Sequence, residues 1–405
     1  MSPTIFISAG EASGEHYGAL LVAALKKRLA ADGQTASFFG MGGERMAAVG
    51  LECVVRAEDM AVMGLTEVVR HLPRIWREFR KLKQAVRDRR PSVAVLIDFP
   101  EIHFRLAEEL HRLGVPVIYF VSPQLWAWKK KRIRLVQKYI DKMLVIFPFE
   151  EAFYRERSVE AEFVGHPLAE LTAPPVSRSE FAAQNGLDPA KTWIGLLPGS
   201  RPKEIRDHLP EMLRAARGLA GSFEFVVPLA PTLNDAQRAQ VRRLAEAHGS
   251  GLTLRLIEDI GAEGAVGPTA GGARAALLHA RASVVASGTA TVEAALIGNP
   301  FVVVYRVSAL TYAIAKRVVK VPHVAMANLI AGKRIVPELI QSDFTAKKIV
   351  QEIEPLLPDG PPRQSMMEEL KRVRGLIGKQ PVGSGAIDRV AAVTLDRIRL
   401  LNPEV

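Results

Sequence analysis

Cysteine is nearly absent from the 405-residue chain: Cys53 stands alone, so no internal disulfide can form and a reducing compartment is the expectation. Long apolar runs are missing too. No window approaches the roughly 20 apolar residues of a membrane span, and the opening Met1-Ser2-Pro3-Thr4-Ile5-Phe6-Ile7 has no basic n-region and too short an apolar stretch for a signal peptide. Gly-Lys-Ser/Thr does not occur, which excludes a P-loop, and Gly40-Met41-Gly42-Gly43-Glu44-Arg45 has an arginine where a dinucleotide fingerprint needs its third glycine. No two aspartates stand two apart, so an Asp-x-Asp that holds a metal diphosphate is missing, and no Cys/His cluster suggests structural zinc. A bound diphosphate must then be neutralised by protein groups alone, with no metal and no cofactor expected.

At this length the chain exceeds one ordinary core, and two domains of roughly 150 to 200 residues are expected. A hydrophobic content of 48% with only 6% aromatic residues, and 31 Gly with 26 Pro spread along the sequence, suit an α/β protein with many short turns. The formal net charge of +11 implies an anionic partner. Nine cations lie between Arg70 and Arg90 (Arg70, Arg74, Arg77, Arg80, Lys81, Lys83, Arg87, Arg89 and Arg90) against Glu78 and Asp88, so most of the surplus falls on one segment. There Leu65, Val68, Val69, Leu72, Ile75, Trp76, Phe79 and Leu82 follow 3,4 spacing, while Arg70, Arg74, Arg77 and Lys81 fall largely elsewhere around the wheel. This reads as an amphipathic basic helix broken in two at Pro73. Such helices lie in the interface of anionic membranes, where each cation adds about 1 kcal/mol. The candidate membrane contacts are Leu65, Val68, Val69, Arg70, Leu72, Arg74, Ile75 and Trp76, and packing on the protein's own sheet is the competing reading.

Strand and helix patterns alternate along both halves. Strands are predicted at 4–8, 37–39, 93–97, 115–121 and 142–146, with a helix over 18–29, and the continuous apolar runs are those of buried parallel strands. A Pro-rich linker at 172–177 precedes a restart, with strands at 193–197, 223–228, 252–257, 282–286 and 301–305. The Gly/Ala-rich stretch 260–275 reads as a loop, and 358–362 as a break before two final helices. The fold class is therefore α/β, with two doubly wound Rossmann-like domains. The expected domains are 1–172 and 173–365, with the closing helices of 366–405 packing back on the first.

Ligands of doubly wound sheets sit at the carboxyl ends of the strands. In the second half, Ser287-Gly288-Thr289-Ala290-Thr291 joins a strand to a helix whose unpaired N–H groups and partial positive charge suit a diphosphate. Glu293 follows within two turns and could accept from ribose hydroxyls, whereas Thr289 or Thr291 as a plain N-cap is the alternative. Leu197-Pro198-Gly199-Ser200-Arg201 brings a guanidinium fork to another strand end, where it could contact phosphate oxygens, whereas a surface arginine beside a tight turn is the alternative. In the first half, Asp98 ends an apolar run as a general-base candidate, or as an N-cap for the helix opening at Pro100. His16 and His166 are further loop candidates, and Ser122-Pro123-Gln124-Leu125-Trp126-Ala127-Trp128 runs into the cations Lys129 to Arg132. Single-stranded nucleic acid, an acyl chain or a phosphorylated sugar could suit that stretch, and a solvated helix start is the competing reading. Nothing else resembles a nucleic-acid module, so no nucleic-acid partner is expected.

Taken together, Ala9-Gly10-Glu11-Ala12-Ser13-Gly14, Ala61-Val62-Met63-Gly64, Asp98-x-Pro, Val121-Ser122-Pro123 with Trp126-Ala127-Trp128, Leu197-Pro198-Gly199-Ser200-Arg201, Ala286-Ser287-Gly288-Thr289-Ala290, Ala315-Lys316-Arg317 and Asn328-Leu329-Ile330-Ala331-Gly332 resemble the lipid-A-disaccharide synthases. The resemblance spans about residue 8 to 341. It implies a GT-B fold with two facing domains, acceptor side first and donor side second. It also implies inverting transfer of 2,3-diacylglucosamine from UDP-2,3-diacylglucosamine to the 6-hydroxyl of 2,3-diacylglucosamine 1-phosphate, without a metal. Asp98 matches the family's essential aspartate. Arg201, Ser287, Gly288, Thr289, Thr291, Glu293 and Asn328 are the implied donor-site positions, and Glu11, Ser13, Gln124 and Trp126 the acceptor-side candidates. A homodimer exchanging C-terminal segments, with 328–341 serving the neighbour, and peripheral association with the cytoplasmic face of the inner membrane are further implications. The family often reads Asp-x-Pro-Asp-Phe-Asn, where Glu101 and His103 stand here. Another GT-B enzyme, such as an N-acetylglucosaminyl transferase or a UDP-sugar epimerase, and a non-catalytic nucleotide-binding membrane scaffold are the alternatives.

Overall fold

Short apolar runs punctuated by Gly and Pro leave little choice but buried parallel strands joined by helices. A computed structural model describes residues 2–60, 65–171, 174–219, 223–231, 233–258, 271–319, 321–378 and 385–401. The chain divides into two compact units, Met1–Pro167 with Lys379–Val405, and Leu168–Gly378.

The first unit holds a seven-stranded sheet of β1 (Thr4–Ala9), β2 (Ser37–Gly42), β3 (Glu52–Arg56), β4 (Val93–Ile97), β5 (Val117–Phe120), β6 (Lys142–Val145) and β7 (Ala161–Phe163). Its order is β3-β2-β1-β4-β5-β6-β7 and every pairing is parallel. The second unit holds β8 (Thr192–Leu197), β9 (Phe223–Pro228), β10 (Leu254–Ile257), β11 (Ala282–Ala286), β12 (Phe301–Tyr305) and β13 (Glu338–Ile340), in the order β10-β9-β8-β11-β12-β13 and again all parallel. Strand order reverses between β1 and β4 in one sheet and between β8 and β11 in the other. Those two switch points open the crevices in which such sheets take ligands.

The sequence reading missed β3, β7 and β13. All three are edge strands, and each carries charge or partial exposure where an interior strand carries an unbroken apolar run. The first helix begins at Ala12 rather than Gly18, so the Ala12-Ser13-Gly14-Glu15-His16 stretch is its opening turn and not a loop. The predicted returning segment 366–405 divides. The Pro361–Ile377 helix buries Leu370, Val373 and Ile377 against the Thr289–Ile297 and Met326–Ala331 helices of the second unit. Only the Ala386–Leu401 helix lies along Ala12–Ala31, held by ion pairs of Arg399 with Asp32 at 2.7 Å and Arg397 with Asp141 at 3.1 Å.

The basic segment departs from expectation twice. Leu65–Arg89 is one helix with Pro73 inside it, because a proline that costs one backbone bond bends a helix without ending it when the following turns are anchored. Phe79, Leu82 and Val86 are that anchor, fully buried in the core with Phe6, Leu96 and Leu106, and Ile75 packs half-buried against the same cluster. The second difference is electrostatic. Arg74 pairs with Asp59, Arg77 and Lys81 with Glu78, Arg89 with Glu52, and Lys83 and Arg87 with the buried Glu109 at 2.6 and 2.7 Å. Most of these acids come from other elements, so a charge count confined to residues 70–90 overstates the free cations. The side chains of Leu65, Val68, Val69, Arg70 and Leu72 lie outside the described residues, as do 61–64, 259–270 and Thr172–Ala173; of the stretch 260–275 expected as a loop, 272–275 instead open the Gly272–His279 helix. Trp76 is exposed.

Candidate active site

At the first switch point β4 ends in Ile97 and the chain turns sharply. Asp98 and Phe99 both adopt φ of +52°, a region that non-glycine residues occupy rarely and at a cost of about 1–3 kcal/mol each. Val121, at the end of neighbouring β5, has φ of +63°, a genuine outlier for a β-branched residue. Strain concentrated at two adjacent strand ends has to be held by its surroundings, and the contacts that hold it are specific. The Asp98 amide donates to the Phe120 carbonyl at 2.9 Å. Its own carbonyl accepts the Tyr119 hydroxyl at 2.6 Å and stands 2.5 Å from His103 Nδ1.

The carbonyl can only accept, so Nδ1 carries the proton. Nε2 of the neutral ring then accepts from the Ser8 hydroxyl, 2.8 Å away at the end of β1. Burial drives the His103 pKa down to about 4 and keeps that tautomer neutral. Ser8, His103 and Tyr119 thus clamp the Asp98 peptide from two strands and a helix, and leave its carboxyl free. Gly10 completes the fit, since a Cβ there would stand 2.3 Å from the Phe99 ring.

The Asp98 carboxyl is half-buried and pushed up to about 6, chiefly by burial and secondarily by the negative Glu11, with the Phe99 N–H opposing. It does not cap the following helix; the N-cap of Pro100–Arg112 is Phe99. Glu11 is exposed at the N-cap of the Ala12–Ala31 helix, Ser13 is half-buried in its first turn, and Gln124 is exposed after β5. Trp126 is anchored: its Nε1 donates at 3.1 Å to Glu150, a buried carboxyl raised to about 7 by desolvation. Ser122 meets the Tyr154 hydroxyl at 2.8 Å beneath it. The cations that follow are partly spent, because Lys129 and Arg132 both hold Glu101, whose pKa they lower to about 2. His166 is buried and its pKa falls to about 3, and His16 is likewise lowered by burial and by Arg45.

The second switch point sets Pro198 to Arg201 beside Ser287 to Thr289. Gly288, at φ +154°, is the N-cap of the Thr289–Ile297 helix, and no atom lies within 4 Å of where a Cβ would project. Neither Thr289 nor Thr291 caps that helix. Among the described residues no protein hydrogen bond is made by the hydroxyls of Ser287 and Thr289, which leaves them beside the helix's open N–H groups. Arg201 is exposed with a single 3.4 Å contact from its guanidinium to Glu204, so most of its donor fork is unused. Glu293 is half-buried, raised by desolvation and opposed by the charge of Arg274.

Two expected donor ligands are placed otherwise. Thr291 is buried and its hydroxyl donates to the Gly288 carbonyl at 2.7 Å, shaping the turn instead of meeting a ligand. Asn328 is fully buried and fully used: its amide nitrogen donates to the Val336 carbonyl and to Glu338, and its oxygen accepts from the Ile335 and Val336 amides at 2.7 and 2.9 Å. No donor or acceptor remains for a substrate, so its role is to fold 324–340. Sequence reasoning also missed His208. It bridges Pro198, to which Nδ1 donates at 2.8 Å, and the Arg306 amide, which donates to Nε2 at 3.0 Å. This ties the β8 loop to the end of β12. A histidine about two helical turns past Arg201 was the available signal, and its partner is distant in sequence.

Two all-parallel doubly wound units, each with its polar loops at the switch point of the central strands, give the chain a GT-B type of fold. Solved structures with this fold include the calicheamicin glycosyltransferase CalG4 (TM-score 0.59, 18% identity, 100% of both chains). The UDP-GlcNAc 2-epimerase from Neisseria meningitidis aligns similarly (TM-score 0.60, 13% identity, 98% of this chain and 100% of that one). Sequence comparison is narrower. A family model for lipid-A-disaccharide synthetase matches residues 5–381. The lipid-A-disaccharide synthase of Acidobacterium capsulatum is 60% identical over 98% of this chain and 97% of its own, and that of Koribacter versatilis 50% over 96% and 97%. The chain belongs to the lipid-A-disaccharide synthase family.

Proposed function

We propose that this protein joins two acylated glucosamines, transferring 2,3-diacylglucosamine from its UDP derivative to the 6-hydroxyl of 2,3-diacylglucosamine 1-phosphate with inversion. Membership of the family over nearly the whole length supports the disaccharide-forming reaction. In this reading Asp98 takes the proton of the attacking 6-hydroxyl as the new C1–O6 bond forms. The bond from C1 to the diphosphate breaks, and UDP leaves with the electron pair. The observation that carries the assignment is the Asp98 pKa of about 6 on a clamped, strained turn. At pH 7 such a carboxylate is about 90% ionised, yet far more basic than an ordinary aspartate.

The donor diphosphate is assigned to Arg201, the open N-terminus of Thr289–Ile297, and the hydroxyls of Ser287 and Thr289. Glu293 is assigned to the ribose. Among the described residues no three His, Cys, Asp or Glu side chains converge, and the reading gives the diphosphate charge to these protein groups. No described helix is long and apolar enough to cross a membrane. Peripheral contact with an anionic membrane through Trp76 and its neighbours, and a homodimer, belong to the same proposal.

Acyl dependence tests it. Supplied with diacylated donor and acceptor, the protein is expected to release UDP in step with acceptor consumption. Efficient turnover of plain UDP-N-acetylglucosamine would favour another GT-B activity, and no UDP release under either condition a non-catalytic scaffold.

A further inference from the structure

His208 lies fully buried on the Pro202–Gly218 helix, its ring between those of Tyr305 and Phe344 with centroids 5.6 Å from each. Both ring nitrogens are used: Nδ1 donates to the Pro198 carbonyl at 2.8 Å, and Nε2 accepts from the Arg306 amide at 3.0 Å. The two ends of this bridge differ in stiffness. Beside Arg306, the Gln341 side chain accepts from the Val307 amide at 3.2 Å and donates to the Val307 carbonyl at 3.1 Å, and the Arg306 guanidinium donates to the Phe344 carbonyl. That end is held without the histidine. At the other end the chain has left β8, Gly199 sits at φ +116°, and the next anchor is a 3.4 Å bond from the Arg201 amide to Glu204.

A glycine on one flank leaves the Pro198–Gly199 peptide easy to rotate, because glycine takes φ of either sign at little steric cost. In a trans peptide the C=O and N–H point in opposite directions. With the Pro198 carbonyl held inward by a buried ring, the Gly199 N–H has to face away from the core. Exposure runs the same way: Pro198 is buried, Gly199 half-buried and Ser200 exposed. Among the described residues neither the Gly199 nor the Ser200 amide makes a protein hydrogen bond. Two open donors therefore stand beside Arg201 at the strand end, left for water or a ligand.

We infer that His208 is a positioning residue of the donor site, locking the Pro198–Gly199 peptide with the Gly199 N–H turned toward the diphosphate. This role rests on the assignment of the diphosphate to the Arg201 loop and the neighbouring helix N-terminus made above. Without the bridge the peptide would also sample the flipped state, which presents the partial negative charge of the Pro198 carbonyl to an anion. A donor fixed before the ligand arrives needs no reorganisation when it binds. Being fully buried, His208 acts through the loop and not by touching the ligand.

Two variants of the full chain break the bridge at opposite ends. The asparagine amide of His208→Asn reaches the Nδ1 position and keeps the bond to Pro198, while the glutamine of His208→Gln reaches the Nε2 position and keeps only the bond to Arg306. Each loses the ring and one buried bond, so thermal midpoints should fall alike. UDP affinity should not: His208→Gln is expected to weaken it about 10–100-fold, the loss of one charge-assisted bond, and His208→Asn by less than about threefold. The sequence contains a single Pro-Gly pair, so labelling with carbonyl-13C proline and 15N glycine isolates the Gly199 amide. Its proton should move downfield on adding UDP in the wild type and in His208→Asn, and little in His208→Gln. Equal loss of UDP affinity in both variants would mark a merely structural ring and overturn the inference. So would unchanged affinity in His208→Gln, and so would a wild-type Gly199 amide that ignores UDP, a readout that needs no variant to fold. Arg201→Ala, measured alongside, separates the two levels: if it weakens UDP binding and His208→Gln does not, only the positioning role falls, and if neither does, the donor assignment falls with it.

Discussion

Asp98→Asn separates what the carboxylate does for the reaction from what it does to the fold. Raising a carboxyl from its ordinary 3.8 to about 6 means that the folded state disfavours the ionised form. At about 1.4 kcal/mol for each tenfold change in ionisation, the charge costs about 3 kcal/mol at neutral pH. The sign follows from proton linkage. With the folded value above the unfolded one, the folded state binds the proton more tightly between about pH 4 and 6, so stability falls as pH rises through that window and stays lower above it. Asparagine carries no such penalty. The variant is expected to be more stable than the wild type at pH 8 by up to about 3 kcal/mol, with the difference closing toward pH 4, measured by urea unfolding across pH. Turnover should move the opposite way: loss of a general base costs about 10²–10⁴ in kcat, while UDP affinity, read by calorimetry, stays unchanged. Wild-type kcat/KM should fall about tenfold per pH unit below 6. An Asn variant that kept wild-type turnover, or that was less stable than wild type at pH 8, would refute the reasoning.

Other outcomes follow from the same geometry. His103→Ala removes one of two donors on the Asp98 carbonyl and orphans Ser8; kcat should drop about 10–100-fold with UDP affinity intact, since small misplacements of a reacting group are that costly, and an unchanged kcat would remove the clamp from the account. Arg201→Ala should weaken UDP binding about 10–100-fold, the loss of charge-assisted bonds worth roughly 1.5–3 kcal/mol, with Glu293→Ala also weaker; unchanged UDP affinity in either variant would defeat that residue's assignment. Asn328→Ala strands the Ile335 and Val336 amides and should cost about 2–4 kcal/mol of stability, read as a lower thermal midpoint at saturating UDP and without it. Were stability intact and only UDP affinity lost, Asn328 would be a donor ligand after all.

The two doubly wound sheets were legible because interior parallel strands are buried on both faces and read as unbroken apolar runs, as Val93–Ile97 and Phe301–Tyr305 do. Edge strands such as Glu52–Arg56 lack that signature and were invisible. The strand-end loops with Asp98, Arg201 and Ser287 to Thr289 were legible for a related reason, since ligand chemistry collects where apolar runs end. Burial direction was not. Thr291 and Asn328 look like ligands in a motif, and only their hydrogen-bond partners show hydroxyl and amide turned inward. Long-range pairing was equally hidden: Ser8 with His103, His208 with Arg306, and Glu109 with Lys83 and Arg87 join residues that no local pattern connects.

Mass spectrometry of the products formed by the purified protein from UDP-2,3-diacylglucosamine and 2,3-diacylglucosamine 1-phosphate tests the central claim directly. A tetra-acylated glucosamine disaccharide 1-phosphate, appearing in equal amount with UDP, is the result expected. An epimerised donor, a free hydrolysed sugar, or unchanged substrates in the presence of folded, UDP-binding protein would contradict it.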